Sequence, residues 1–261
     1  MRAIIVCLLW AYAVCSLAAT DADYRPVPGG VLISALSLDG SHIPVLIAPF
    51  AMRAMPVTVR DYIAFLDKHP EWRRDRVSSL YASKDYLASW TAALTPGPTF
   101  DPQQAITEVS WFAARAYCAS EAARLPSWYQ WEFAATGAHR TDVNGQADRE
   151  ESILQTLLAR TGHRPGKVGL NPGNPYGLHD MNTLVWEWVD DYEAMFVNAD
   201  ARDPDQSNLL QLCGGAALAF ENHADYPLMM RVAALSAMKP TDASGNIGFR
   251  CVRDIKQGNT P

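Results

Sequence analysis

The sequence predicts an irregular α+β domain with little regular secondary structure. Three features carry that prediction. Two helix starts are written as capping boxes, the second half is dense in proline and glycine, and the strand-like runs are few and short. No repeat, low-complexity tract or Gly/Ser linker divides the 261 residues, so a single main domain is expected. With 49% apolar residues the chain can bury a sizeable core. Its 22 Lys+Arg against 28 Asp+Glu give a net charge of −6, which leaves no electrostatic footprint for nucleic acid. Eight Trp, ten Tyr and eight Phe with only 19% charged residues argue against disorder.

Residues 1–19 read as a cleaved export signal: Arg2 supplies the basic start, Ala3 to Val14 is uninterruptedly apolar, and Ser16-Leu17-Ala18 offers small residues at a cleavage site. An uncleaved anchor or a lipidated Cys15 is the alternative, but the run is short for a bilayer span and has no basic stop beyond it. After cleavage the protein is expected to be periplasmic, without a membrane segment, and monomeric. Residues 20–29 are expected to be an N-terminal linker, 30–254 the domain, and 255–261 a C-terminal tail.

Val31 to Leu38 and His42 to Met52 look like strands about the turn Asp39-Gly40. Thr58 opens a helix, with Asp61 three residues on, an apolar face of Tyr62, Phe65 and Leu66, and Pro70 as its stop. Residues 71–105 are irregular. Ser110 caps a second helix from Trp111 to about Ala123, and Ser127 with Gln130 starts a short third one carrying Trp131, Phe133 and Ala134. A further helix is expected from Asp148 to Gly162, with Ile153, Leu154, Leu157 and Leu158 on one side. Beyond it helical signals fade into Pro/Gly-marked loops, with short strands near Val185 to Val189 and Gly248 to Val252. The signal takes Cys7 and Cys15 away, leaving Cys118, Cys213 and Cys251, among which residue spacing does not choose a pair.

Five segments follow one another in a recognisable order. They are Pro56-Val57-Thr58; Thr107-Glu108-Val109-Ser110-Trp111 to Tyr117-Cys118; Arg124-Leu125-Pro126-Ser127 to Trp131-Glu132-Phe133-Ala134-Ala135; Asn174 to Met181 with Trp186-Glu187-Trp188; and Asn246 to Cys251. Together they resemble the formylglycine-generating-enzyme family, also called the sulfatase-modifying-factor domain. The resemblance implies a C-type-lectin-like fold, held by buried aromatics and often by calcium. It implies core roles for Trp111, Trp131, Trp186 and Trp188, and a disulfide between Cys118 and Cys251.

The oxidases of that family hold copper with two cysteines shortly after a Gly-Gly-Ser segment. Here Gly214-Gly215 is followed by Ala216, and the two cysteine positions fall on Ala219 and Ala224. No cysteine occurs from Gly214 to Arg250, so the family's copper site cannot be built and no catalytic residue is assigned. The basic residue that binds substrate in the family is replaced, at Leu235 by alignment. The non-haem-iron branch needs clustered histidines, whereas the six here stand at 42, 69, 139, 163, 179 and 223. The resemblance further implies calcium on the carboxylates of Asp180 and Glu187 and the carbonyls of Thr183 and Val185, although the usual Gly-Asn is Thr183-Leu184. It places a groove, read as a partner-binding surface, at Cys213, Gly214, Gly215, His223, Trp186 and Asn246. Cys213 is either a small apolar filler or a Cu(I) thiol assisted by His223, Met229, Met230 or Met238. Met229 and Met230 also read as core in the run Leu228 to Leu235.

The segment Cys213-Gly214-Gly215-Ala216 and the run 186–191 resemble exported members that accompany copper nitrite reductases. The resulting expectation is an accessory, maturation or binding factor for another exported protein. The competing expectations are an enzyme of the same fold with different chemistry on a small molecule or peptide, and a calcium-dependent lectin-like binder.

Overall fold

A computed structural model describes residues 23–34, 43–136, 165–193 and 226–255 of the chain. The export signal, the 148–162 helix, the tail beyond 255 and the 213–224 groove lie outside the described residues.

Tyr24–Val27 (β1), Phe50–Arg53 (β4) and Val252–Asp254 (β7) form an antiparallel sheet in the order β1-β4-β7, with Val27 opposite Phe50 and Met52 opposite Val252. The presumed linker 20–29 is therefore corrected: its second half is an edge strand of the central sheet. Tyr24 and Val27 face inward while Arg25 and Pro26 are exposed, and Pro26 is tolerated because β1 is an edge strand. Gly30–Leu32 (β2) and Val45–Ile47 (β3) make a separate antiparallel pair, shorter than the strands expected over 31–38 and 42–52.

Helix α1, Val59–Lys68, starts as its sequence dictates. Thr58 accepts from the Asp61 amide, and the Asp61 side chain returns to the Thr58 amide. Its inward stripe is Val59, Tyr62, Phe65 and Leu66. Ser110 caps α2, Trp111–Ser120, through the Ala113 amide. For α3, Trp128–Thr136, Ser127 and Gln130 exchange side-chain-to-amide bonds, and Asp191 Oδ1 accepts from the Trp128 amide across the fold at 2.7 Å. A fourth helix, α4, spans Tyr226–Ser236, where helical signal was expected to have faded.

The disulfide Cys118–Cys251 ties α2 to the approach of β7, with both residues wholly buried. Around it Phe249 packs edge-on against Tyr62 and Tyr117. Arg53 closes the same region, donating to Tyr117 Oη and Glu121 at 2.7 Å and to Asp61 at 3.0 Å, while Tyr24 Oη donates to Glu121. No helix among the described residues is long and apolar enough to cross a membrane.

Candidate functional site

Trp186–Glu187 (β5) pairs in parallel with Ile247–Gly248 (β6), bringing the Trp-Glu-Trp segment beside the Asn-Ile-Gly-Phe-Arg segment. Gly248 also passes the backbone of Ile106 closely enough to require glycine: a Cβ there would lie 2.5 Å from the Ile106 carbonyl oxygen. Glu187 then faces inward beneath α3. Its Oε2 accepts from Trp131 Nε1 at 2.6 Å and from Arg250 Nε at 2.8 Å. Its Oε1 accepts from Arg250 Nη2 at 2.8 Å and from Nε at 3.0 Å. Arg250 spends its remaining donors on the carbonyls of His179, Arg53 and Ala54. Both ions are dry, at 0% and 1% side-chain exposure. Such a pair persists because every lone pair and proton is matched.

A second guanidinium lies on the other side. Arg231 of α4 donates Nη2 to the Glu187 main-chain oxygen at 2.5 Å and stacks over Trp131, 3.7 Å from the ring centroid, and over Trp128 at 4.8 Å. Its Nε and Nη1 have no hydrogen-bond partner among the described residues. Burial pulls its pKa down to about 9, opposed by Glu187, Asp191 and Glu132, so it remains a cation at neutral pH. Asp191 is pushed above the usual aspartate value, chiefly by burial, although the Trp128 amide favours its ionised form.

The structure places the expected site residues unevenly. Trp186 and Asn246 do come together: the Trp186 amide donates to the Asn246 carbonyl at 2.9 Å, with Trp186 half-buried and Asn246 exposed. Cys213, Gly214, Gly215 and His223 lie outside the described residues. Trp131 and Trp188 are core, while Trp111 and Trp186 pack half-buried against it. Met229 and Met238 do likewise, but Met230 is exposed, which corrects its reading as core.

The calcium set is corrected at Glu187, whose carboxylate is already saturated by Arg250 and Trp131. Asp180 is engaged as well, accepting from the Gly169 amide at 2.6 Å and from Asn171 Nδ2 at 3.1 Å. No group of three His, Cys, Asp or Glu side chains suited to a metal exists among the described residues. Asn182 Oδ1 and Thr183 Oγ1 are buried without a partner among the described residues, so the loop's unmet polar demand there falls on those two atoms. The family ligand set, with Glu187 as a member, does not fit this chain.

Arg231 went unnoticed in the sequence although a signal existed. Residues 228, 231, 232 and 235 form the i, i+3, i+4, i+7 stripe of α4, so an arginine sits in line with Leu228, Val232 and Leu235 on the buried face. Leu235, where the resemblance led the family's basic residue to be expected, is fully buried.

Chemically, the Glu187–Arg250 pair is a closed ionic joint, because the Glu187 carboxylate is spent on Arg250 and Trp131. Comparison with known proteins places the chain among relatives of one family. The chain is 27% identical over 252 residues to the "Inactive C-alpha-formylglycine-generating enzyme 2" of Bos taurus, covering 82% of this chain and 80% of that one. It is 28% identical over 190 residues to the formylglycine-generating enzyme of Thermomonospora curvata, covering 64% and 62% respectively. A solved structure of CarF superimposes with a TM-score of 0.52 at 17% identity, covering 89% of this chain and 98% of that one, a likeness of fold. The family model described as "Sulfatase-modifying factor enzyme 1-like domain" matches residues 22–255, and the chain belongs to that family.

Proposed function

We propose that this protein is an exported formylglycine-generating-enzyme-like domain that has lost the copper-oxidase chemistry. In this reading it serves as an accessory or maturation factor for another exported protein, a copper nitrite reductase being the client to test first. One observation carries the reading: from Gly214 to Arg250 the chain has no cysteine, so the paired thiolates that would hold Cu(I) near the groove cannot be supplied. The Glu187–Arg250 pair supports it, since both side chains are used up in joining β5 to α3 and to the segment that follows β6. In this reading the groove of residues 213–224, Trp186 and Asn246 is a binding surface.

The test is deletion of the gene in its host, followed by purification of the exported copper reductase and measurement of copper per protomer and specific activity. The reading expects a copper-poor, less active reductase that recovers when the intact gene is returned. Full copper loading in the deletion strain would remove the accessory role.

A further inference from the structure

The β2–β3 pair has an unusual distribution of apolar side chains. Its register sets Gly30 opposite Ile47, Val31 opposite Leu46 and Leu32 opposite Val45. Leu32 and Ile47 are buried, Val45 packs against the core, and Gly30 meets the Phe133 ring of α3. The other face is apolar too. Val31 is 66% exposed, Leu46 80% and Ile33 60%, while Pro44 and Ala48 on the same alternation are also exposed.

A strand pair with one wet face normally alternates apolar and polar residues, and runs apolar on both faces belong to sheets covered on both. The two strands also lack the charges that usually guard a sheet edge: between Gly29 and Phe50 the sole Asp, Glu, Lys or Arg is Asp39. Val31, Ile33 and Leu46 at these exposures, with the exposed Pro44 and Ala48 on the same alternation, present about 500 Å² of apolar surface, the size at which a patch on a monomer marks an interaction site.

We propose that this face pairs two copies of the chain. The area fits that occupant: two such faces stacked together remove about 1,000 Å² from water, the lower limit for a specific interface and the range of a reversible dimer. The geometry fits it as well. A two-fold axis parallel to the strands lays β2 of one copy over β3 of the other, so Val31 of each copy meets Leu46 of its mate, a self-complementary contact. The chain is therefore a weak dimer in solution, against the monomer expected from its sequence.

Sedimentation velocity of the mature protein between 1 and 200 μM (working range set by the low-area class) reads this directly. The proposal expects the weight-average mass to rise toward twice the monomer mass with concentration. It expects Val31→Glu and Leu46→Lys, each folded by circular dichroism because both sites are exposed, to stay monomeric alone. Mixed one to one, the two variants should dimerise again, since the new carboxylate of one copy meets the new ammonium of the other. A wild-type protein that stays monomeric throughout overturns the proposal. So does a dimer that survives Leu46→Lys, or a mixture of variants that fails to pair.

Discussion

Two arginine centres hold this molecule together, and they work under different dielectric conditions. At the rim, Arg53 joins β4 to α1 and α2 through Asp61, Glu121 and Tyr117, with side-chain exposures of 10% for Arg53, 25% for Asp61 and 9% for Glu121. In the middle, Arg250 forks onto Glu187 with neither side chain reaching water. The rim network is tolerant, because water can partly replace a lost partner. The central pair is not: its strength in place and its penalty when broken both come from complete desolvation. The rim therefore stabilises the frame by increments, whereas the centre acts as a condition for the Trp-Glu-Trp segment to be buried at all.

Arg250→Met tests that contrast most severely. It leaves the Glu187 carboxylate with Trp131 Nε1 and without its counter-charge, and should cost about 3–5 kcal/mol in denaturant unfolding. A loss below 1 kcal/mol would show that water reaches Glu187. Arg53→Met should cost less, about 2 kcal/mol, because it removes charge-assisted bonds at a partly hydrated rim. A double-mutant cycle of Arg53→Met with Glu121→Gln should return a coupling of roughly 1 kcal/mol, and an additive pair would deny the network. Thr58→Ala should cost about 1 kcal/mol, the usual worth of an N-cap, with the helix otherwise retained. The smallest effect belongs to calcium. Because Glu187 is saturated, millimolar calcium or a chelator should move the Tm by less than about 1 °C, and a rise of several degrees would reopen the 180–187 loop as a cation site.

What could be read from the sequence follows the range of the interaction responsible. The caps of α1, α2 and α3 were legible because Thr58 with Asp61, Ser110 with Ala113, and Ser127 with Gln130 all act within three residues. The joining of Cys118 to Cys251 came through family resemblance, and the structure joins the same pair. β1 was not legible. Tyr24–Val27 becomes a strand only by pairing with β4, a partner more than 20 residues away. Short strands were legible near 185–189 and 248–252, where β5 and β6 lie; their parallel pairing was not, because it joins segments about 60 residues apart that no local pattern links.

The candidate site was legible in its residue types and misread in its partners. Glu187 was recognised as important, but a calcium ligand and the counter-ion of a buried arginine have the same one-letter code. What decides between them is Arg250, 63 residues away along the chain. Arg231 shows the complementary failure: an arginine on an apolar helical stripe was absorbed into a hydrophobic run, although its position on that stripe required it to be buried and therefore paired or stacked.

The central claim is that the family frame persists here without the family's copper oxidation. The direct measurement is oxygen consumption and peptide mass after incubating the purified protein with Cu(I), oxygen, a thiol reductant to supply the two electrons that the peptide does not, and a cysteine-containing peptide bearing the formylglycine-conversion motif. The account predicts unchanged peptide mass and oxygen uptake no faster than copper alone. Conversion of the peptide cysteine to formylglycine with multiple turnovers per protein would contradict it.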